Sequence, residues 1–205
     1  MVKEFNIVIA GVGGQGVILM SELLGNAAVE DGLNVRGSEV LGMAVRGGSV
    51  SSTIRIGNGV LAPLVPTGKA NVLIGMEPVE ALRNIAYLWQ SSVVILNTEK
   101  VVPFTVTLGE SSYPEIETII EKLSRASGRV VQLSAAQIAR EAGSTLSANI
   151  VMLGALFGIG RLPIKIKTIK EQIQSRFSAR LAPLNIRAFD LGYQACRKTL
   201  KGDNQ

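Results

Sequence analysis

The chain has 205 residues, 47% of them hydrophobic and 18% charged, with a formal net charge of +5. A single cysteine, Cys196, and no histidine exclude an internal disulfide, a four-cysteine iron–sulfur centre, a histidine-based zinc site and a histidine-dependent hydrolytic triad. Aromatic residues make up only 4%, and no apolar run approaches the roughly 20 residues of a bilayer span; neither nucleic acid nor a membrane is expected as a partner.

Glu4 and the short apolar run at residues 5–10 argue against a secretory leader and for a buried first strand, in a cytoplasmic protein. Leu19, Leu23, Leu24 and Ala27 lie near helical spacing, which predicts a helix over 18–30 closed by Asp31-Gly32. A second strand starts at 33–36. Residues 50–56 alternate, Gly57-Asn58-Gly59 reads as a turn, and 60–65 reads as the returning strand of a hairpin. A buried strand is expected at 71–76, a helix at 77–88 with Pro78 in its first turn, a strand at 93–97 and a short edge strand at 104–108. A helix at 114–125 and a strand at 129–133 follow. Ser134 is placed to cap a helix running through Ala142. Helices at 149–157, 164–177 and 185–200 complete the chain, with a frayed end at Gly202-Asp203. The alternation predicts a three-layer α/β/α Rossmann-like fold with a mostly parallel, mixed sheet that includes a hairpin, formed by residues 1–205 as one domain.

Charge is unevenly placed. Between Arg161 and Gln205 ten basic residues face three acidic ones, which suits an anionic ligand, an acidic partner surface or a solvated helix face.

Two clusters carry the candidate chemistry. The first is Gly11-Val12-Gly13-Gly14-Gln15-Gly16, between the first strand and the first helix. Residues without Cβ let backbone pass close to backbone or to a ligand, and the following helix offers free N–H groups to an anion. Gly11, Gly13 and Gly16 match the spacing of a dinucleotide loop, yet neither Asp31 nor Glu39 stands convincingly where the ribose-binding acid belongs, and no Gly-Lys-Ser/Thr follows. The loop therefore reads either as a ligand or partner loop or as a tight turn required for helix–sheet packing. The second cluster runs from Glu39 to Ser49 and holds Arg46-Gly47-Gly48-Ser49. Arg46 is suited to clamp a carboxylate or phosphate. Glu39 either orients it or closes an internal ion pair with it. Both clusters follow strands, so both are expected at one sheet edge, where crevices form. Asn149 reads as a cap or buried hydrogen-bonding group, Met43 and Met152 as core or interface, and Cys196 as packing.

The two glycine motifs, with the stretches 149–155 and 185–193, resemble the gamma-type domain of the 2-oxoacid:ferredoxin (pyruvate/ketoisovalerate) oxidoreductases over nearly the whole chain. Within that family the resemblance is strongest to the small subunits of the indolepyruvate branch. It implies oxidative decarboxylation of a 2-oxoacid, an aryl pyruvate in this branch, with coenzyme A accepting the acyl group and ferredoxin the electrons. It also implies a large alpha subunit that carries thiamine diphosphate, Mg2+ and the iron–sulfur clusters, while this chain alone binds no cofactor and supplies no catalytic residue. The ligand or partner residues are then Gly11, Gly13, Gly14, Gln15, Gly16, Glu39, Arg46, Gly47, Gly48 and Ser49. A stand-alone dinucleotide- or flavin-binding reductase and a non-catalytic scaffold or regulatory subunit are the competing readings.

Overall fold

A computed structural model describes residues 4–44 and 46–202. Val45 of the second motif and Asp203 of the frayed end lie outside the described residues.

The first strand, β1 (Phe5–Val12), is buried along all eight residues. Its side chains alternate between two cores, Ile7 and Ile9 in one and Val8 and Ala10 in the other. That is the signature of a sheet covered on both faces. Around it stand β2 (Val35–Leu41), β3 (Ser49–Ile56), β4 (Val72–Gly75), β5 (Val93–Asn97) and β6 (Arg129–Leu133), in the order β2-β3-β1-β4-β5-β6. β1, β4, β5 and β6 are mutually parallel, whereas β3 runs antiparallel to both β1 and β2. The fold is thus the expected mixed, Rossmann-like α/β arrangement.

The larger core lies under α1 (Val17–Glu30), α5 (Ala135–Ala142), α6 (Ala148–Gly158), α7 (Ile166–Arg176) and α8 (Ala182–Gly202). The smaller lies under α2 (Pro78–Arg83) and α4 (Ile116–Ala126). α6 is apolar all round, and ten of its eleven residues are buried, as a helix without a polar face requires. It meets α8 backbone to backbone. A Cβ on Gly154 would stand 2.0 Å from the Phe189 carbonyl oxygen, and one on Gly192 would stand 2.0 Å from that of Val151.

Four local expectations are corrected. The hairpin exists but is formed by β2 and β3 around residues 42–48; residues 60–65 form no strand. Pro63 deprives that segment of a strand donor, and Pro66 follows directly after it. Its carbonyls are instead taken by side chains of β3: Thr53 Oγ1 donates to Pro63 at 3.0 Å, and Arg55 Nη1 donates to Ala62 and Leu64 at 2.9 and 3.1 Å. Residues 104–108 hold a helical turn, α3 (Phe104–Thr107), with Pro103 at its start. The helix expected at 77–88 stops at Arg83 and continues as a 3-10 turn, Ile85–Tyr87. Ser134 starts α5, but the capping oxygens come from across the sheet edge. Asn97 Oδ1 accepts from Ala135 N at 3.1 Å, and Glu99 Oε1 accepts from Ala136 N at 3.2 Å.

Because β2 and the four parallel strands share one direction, their C-terminal ends and the N-terminal end of β3 emerge at a single edge of the sheet. Loops 13–16, 42–48, 76–77 and 98–103 gather there.

Candidate functional site

The glycine loop is a tight junction locked from within. Gln15 N donates to the Val12 carbonyl at 3.1 Å. Its side chain then closes the loop twice: Val12 N donates to Gln15 Oε1 at 2.9 Å, and Gln15 Nε2 donates to the Met76 carbonyl at 3.0 Å. Gln15 is therefore an internal clasp between β1 and the end of β4. Gly11 is required by that clasp, since a Cβ there would lie 2.7 Å from Gln15 Oε1 and 2.8 Å from Met76 Cβ. Gly16, at φ 77°, starts α1 and packs on Asn149, whose Nδ2 would be 2.3 Å from an added Cβ. Asn149 is buried, and its Oδ1 accepts from Ile150 N at 2.9 Å.

The two glycine motifs are joined directly. Gly13 N donates to the Gly48 carbonyl at 2.8 Å, and Gly47 N donates to the Gly13 carbonyl at 3.2 Å. Gly48 is hemmed in, with 2.6 Å from its notional Cβ to the Ala44 carbonyl oxygen. Gly14 (φ 99°) and Gly47 (φ 73°) have open space where a Cβ would be and are needed for their left-handed backbone. Ser49 is engaged internally: its Oγ donates to the buried Glu80 Oε2 at 2.6 Å.

Between the joined loops lies a cleft of about 430 Å3, lined by Val12, Gly13, Gly14, Gly16, Val17 and Ile18 on one side and by Leu41, Gly42, Ala44 and Val50 on the other. Among the described residues no charged side chain lines it. No side chain caps α1 either, so the open amides of its first turn border the cleft and supply the positive end of the helix dipole. Glu39 and Arg46 are both exposed, and no hydrogen bond or ion pair joins them among the described residues. Glu39 stands opposite Ser52 in the β2–β3 ladder, back from the hairpin loop that carries Arg46. Val40 and Leu41 are largely exposed and Met43 wholly so, whereas Met152 and Cys196 are buried. Burial pushes the Cys196 thiol up to about 11.

Glu77 was not singled out from the sequence, although its position before Pro78 is an N-cap signature. Its carboxylate is buried at the end of β4. Oε2 accepts from Val79 N at 2.7 Å and Glu80 N at 3.1 Å, capping α2; Oε1 accepts from Val101 N at 3.3 Å and from the Tyr113 hydroxyl. Burial, followed by the neighbouring Glu77 carboxylate, holds the Tyr113 phenol well above its ordinary range. Glu77 thus ties the 98–113 segment to the same edge as the cleft. Among the described residues no three His, Cys, Asp or Glu side chains form a metal-ligand group, and no helix is long and apolar enough to cross a membrane.

A family profile described as pyruvate ferredoxin/flavodoxin oxidoreductase matches residues 6–195. The chain is 45% identical over 190 residues to an indolepyruvate oxidoreductase subunit IorB of Archaeoglobus fulgidus, covering 93% of this chain and 94% of that one. It is 40% identical to the IorB subunit of Pyrococcus horikoshii, covering 97% and 98%. Among solved structures, the gamma subunit of a keto/oxoacid ferredoxin oxidoreductase from Geobacter sulfurreducens superposes with a TM-score of 0.68 at 22% identity, over 94% of this chain and 98% of that one. That last likeness is one of fold.

Proposed function

The chain belongs to the pyruvate ferredoxin/flavodoxin oxidoreductase family, and from that premise we propose that it is the small, non-catalytic subunit of an indolepyruvate:ferredoxin oxidoreductase. The carrying observation is the near end-to-end likeness to IorB subunits at 45% identity. In this reading residues 1–205 act as one domain in a cytoplasmic complex. The large subunit holds thiamine diphosphate, Mg2+ and the iron–sulfur clusters, and ferredoxin collects the electrons.

The residues of this chain do not fit the redox and metal groups. A cluster needs several thiolates, and Cys196 is the single cysteine, buried, with its thiol pKa pushed up by that burial. Mg2+ prefers converging oxygen ligands, and the two buried carboxylates at the sheet edge are committed, Glu77 to capping α2 and Glu80 to Ser49 and Arg83. No chemical step is therefore routed through this chain. Its contribution is a surface: the cleft and its exposed rim of Leu41, Met43 and Arg46 pack against the large subunit and help form the path by which the 2-oxoacid or coenzyme A reaches the thiamine.

A stand-alone dinucleotide reductase is disfavoured by topology. A Rossmann site draws its ribose-binding acid from the strand beside β1. Here antiparallel β3 lies between β1 and β2, so Glu39 stands two strands from the glycine loop.

Co-expression tests the proposal. The chain should copurify with the large thiamine- and iron–sulfur-bearing subunit, and the pair should reduce ferredoxin with indolepyruvate and coenzyme A. Full activity of the large subunit without this chain would refute it.

A further inference from the structure

At the sheet edge opposite the glycine cleft, the first residues of β5 and β6 meet the ends of α4, α6 and α8 around a recess of about 620 Å3. Arg129, Arg161, Arg197 and Lys201 line it, and no acidic side chain does among the described residues. A second hollow of about 610 Å3 continues it along α8, sharing Arg197 and Lys201 and adding Lys198. Arg129 Nη2 donates to the Leu200 carbonyl at 3.2 Å, which fixes that guanidinium in the wall.

The basic C-terminal stretch is divided in two by its pairing. The cations of α7 and its approach are matched: Lys165 with Asp31, Lys167 with Glu171, Lys170 with Asp190 and Arg176 with Glu22. Arg161, Arg197, Lys198 and Lys201 enter no ion pair among the described residues. Helix dipoles account for only part of this surplus. Three helix C-termini border the recess, each worth about half a negative charge, so they offset roughly one and a half of the positive charges. Among the described residues no ion pair offsets the remainder, and it is concentrated in a hollow whose low-dielectric walls strengthen its field.

We infer that this recess is a second binding site, for a small molecule bearing a diphosphate or comparable pair of phosphates. Arg161 stands in the turn that follows α6 and Arg197 lies on α8, so two neighbouring segments present planar donor forks that match phosphate oxygens. The concave shape favours a small ligand over the flat or convex face of an acidic protein. The site is separate from the glycine cleft and does not depend on the function proposed above.

Trp89 is the chain's only tryptophan, and its amide donates at 2.9 Å to Oγ of Ser92, a residue of the recess wall. Titration of the full chain with inorganic diphosphate at low salt, followed by Trp89 fluorescence and by calorimetry, should give saturable one-to-one binding. Replacing both Arg161 and Arg197 by Ala should weaken it about a hundredfold, roughly tenfold for each charge-assisted contact. Arg187→Ala, on α8 but outside the recess, should leave it unchanged. Arg161 and Arg197 are exposed, so the double variant should keep the parent's urea midpoint. Non-saturable binding, equal binding by the double variant, or equal weakening by Arg187→Ala would overturn the site. Tighter binding of polyglutamate than of diphosphate would overturn the ligand class.

Discussion

The amide of Gly13 donates to the carbonyl of Gly48 at 2.8 Å, and Gly47 returns a bond to the carbonyl of Gly13. Two motifs more than thirty residues apart are thereby one object, a pair of backbone loops sealed along one side of an apolar cleft. Side chains contribute little to the seal, so its shape rests on what the glycines permit.

Substitution at the seal should loosen it. Gly48→Ala drives a Cβ to 2.6 Å from the Ala44 carbonyl oxygen, and Gly16→Ala combines φ 77° with a clash against Asn149. Each should cost about 1–3 kcal/mol, the usual scale of such strain. Urea unfolding would measure it. Gly14→Ala meets no atom, so it should show only the backbone part of that cost.

The α6–α8 contact should be the least tolerant place in the core. Gly154→Ala and Gly192→Ala each bring a Cβ to 2.0 Å from a carbonyl oxygen that belongs to a packed helix and cannot swing aside. The loss should reach or exceed ~3 kcal/mol, the upper end of overpacking costs. Gly25→Ala is the matching control. It sits in α1 with open space at its Cβ and should gain about 0.5–1 kcal/mol. Equal effects at Gly25 and Gly154 would contradict the close helix approach.

Stability should fall in acid partly through Asp31. Its side chain is only 5% exposed. Burial alone would raise its pKa, but hydrogen bonds from Lys165 N at 2.7 Å and Thr168 Oγ1 at 2.7 Å, with the Lys165 ammonium, outweigh that and lower it. A carboxylate held below its unfolded value, about 3.9, contributes its full stability above that value and loses it as pH falls from there through the lower, folded value. Asp31→Asn should therefore cost about 1–3 kcal/mol at pH 7. The gap between variant and parent should narrow below pH 4, as a denaturation series across pH would record.

Glu77 should matter more than an ordinary cap. Glu77→Ala removes the acceptor of three backbone amides and of the Tyr113 hydroxyl, so the loss should exceed the ~0.5–2 kcal/mol of a cap alone. Glu77→Gln should lower the Tyr113 pKa by removing a negative neighbour, yet leave it above the ordinary phenol range because burial remains. Ultraviolet titration of the phenols reads this directly.

What the sequence made legible follows from where the forces are local. Periodicity placed β1, α1, β5 and β6 nearly to the residue, because each carries its own apolar pattern. The Gly57-Asn58-Gly59 turn forms, with Val60 N donating to the Gly57 carbonyl at 3.2 Å, but long-range contacts replace the strand expected after it. Arg55 and Thr53 hold the 62–64 carbonyls as side chains, which no two-residue period encodes. The alternation at 104–108 misled for a similar reason, since Pro103 starts a helical turn there instead. At the site, both glycine motifs were evident as motifs, and their placement at one edge followed from the strand pattern. The inward role of Gln15 and the link from Ser49 to Glu80 depend on β4 and α2, about thirty to sixty residues away, and were beyond any local reading.

The exposed hairpin rim should govern assembly without governing folding. Met43 is fully exposed, Leu41 is more than half exposed, and Arg46 forms no ion pair among the described residues. Met43→Asp and Arg46→Ala should thus leave the isolated chain within about 0.5 kcal/mol of the parent. If the rim meets the large subunit as proposed, Met43→Asp places an unpaired charge in that interface and should weaken association at least about tenfold. Arg46→Ala should act chiefly on affinity for the partner or an anionic substrate, and hence on KM. Light scattering and calorimetry on the reconstituted pair separate these effects. Unchanged affinity in both variants, with normal folding, would move the interface away from the hairpin and leave the cleft as a packing feature alone.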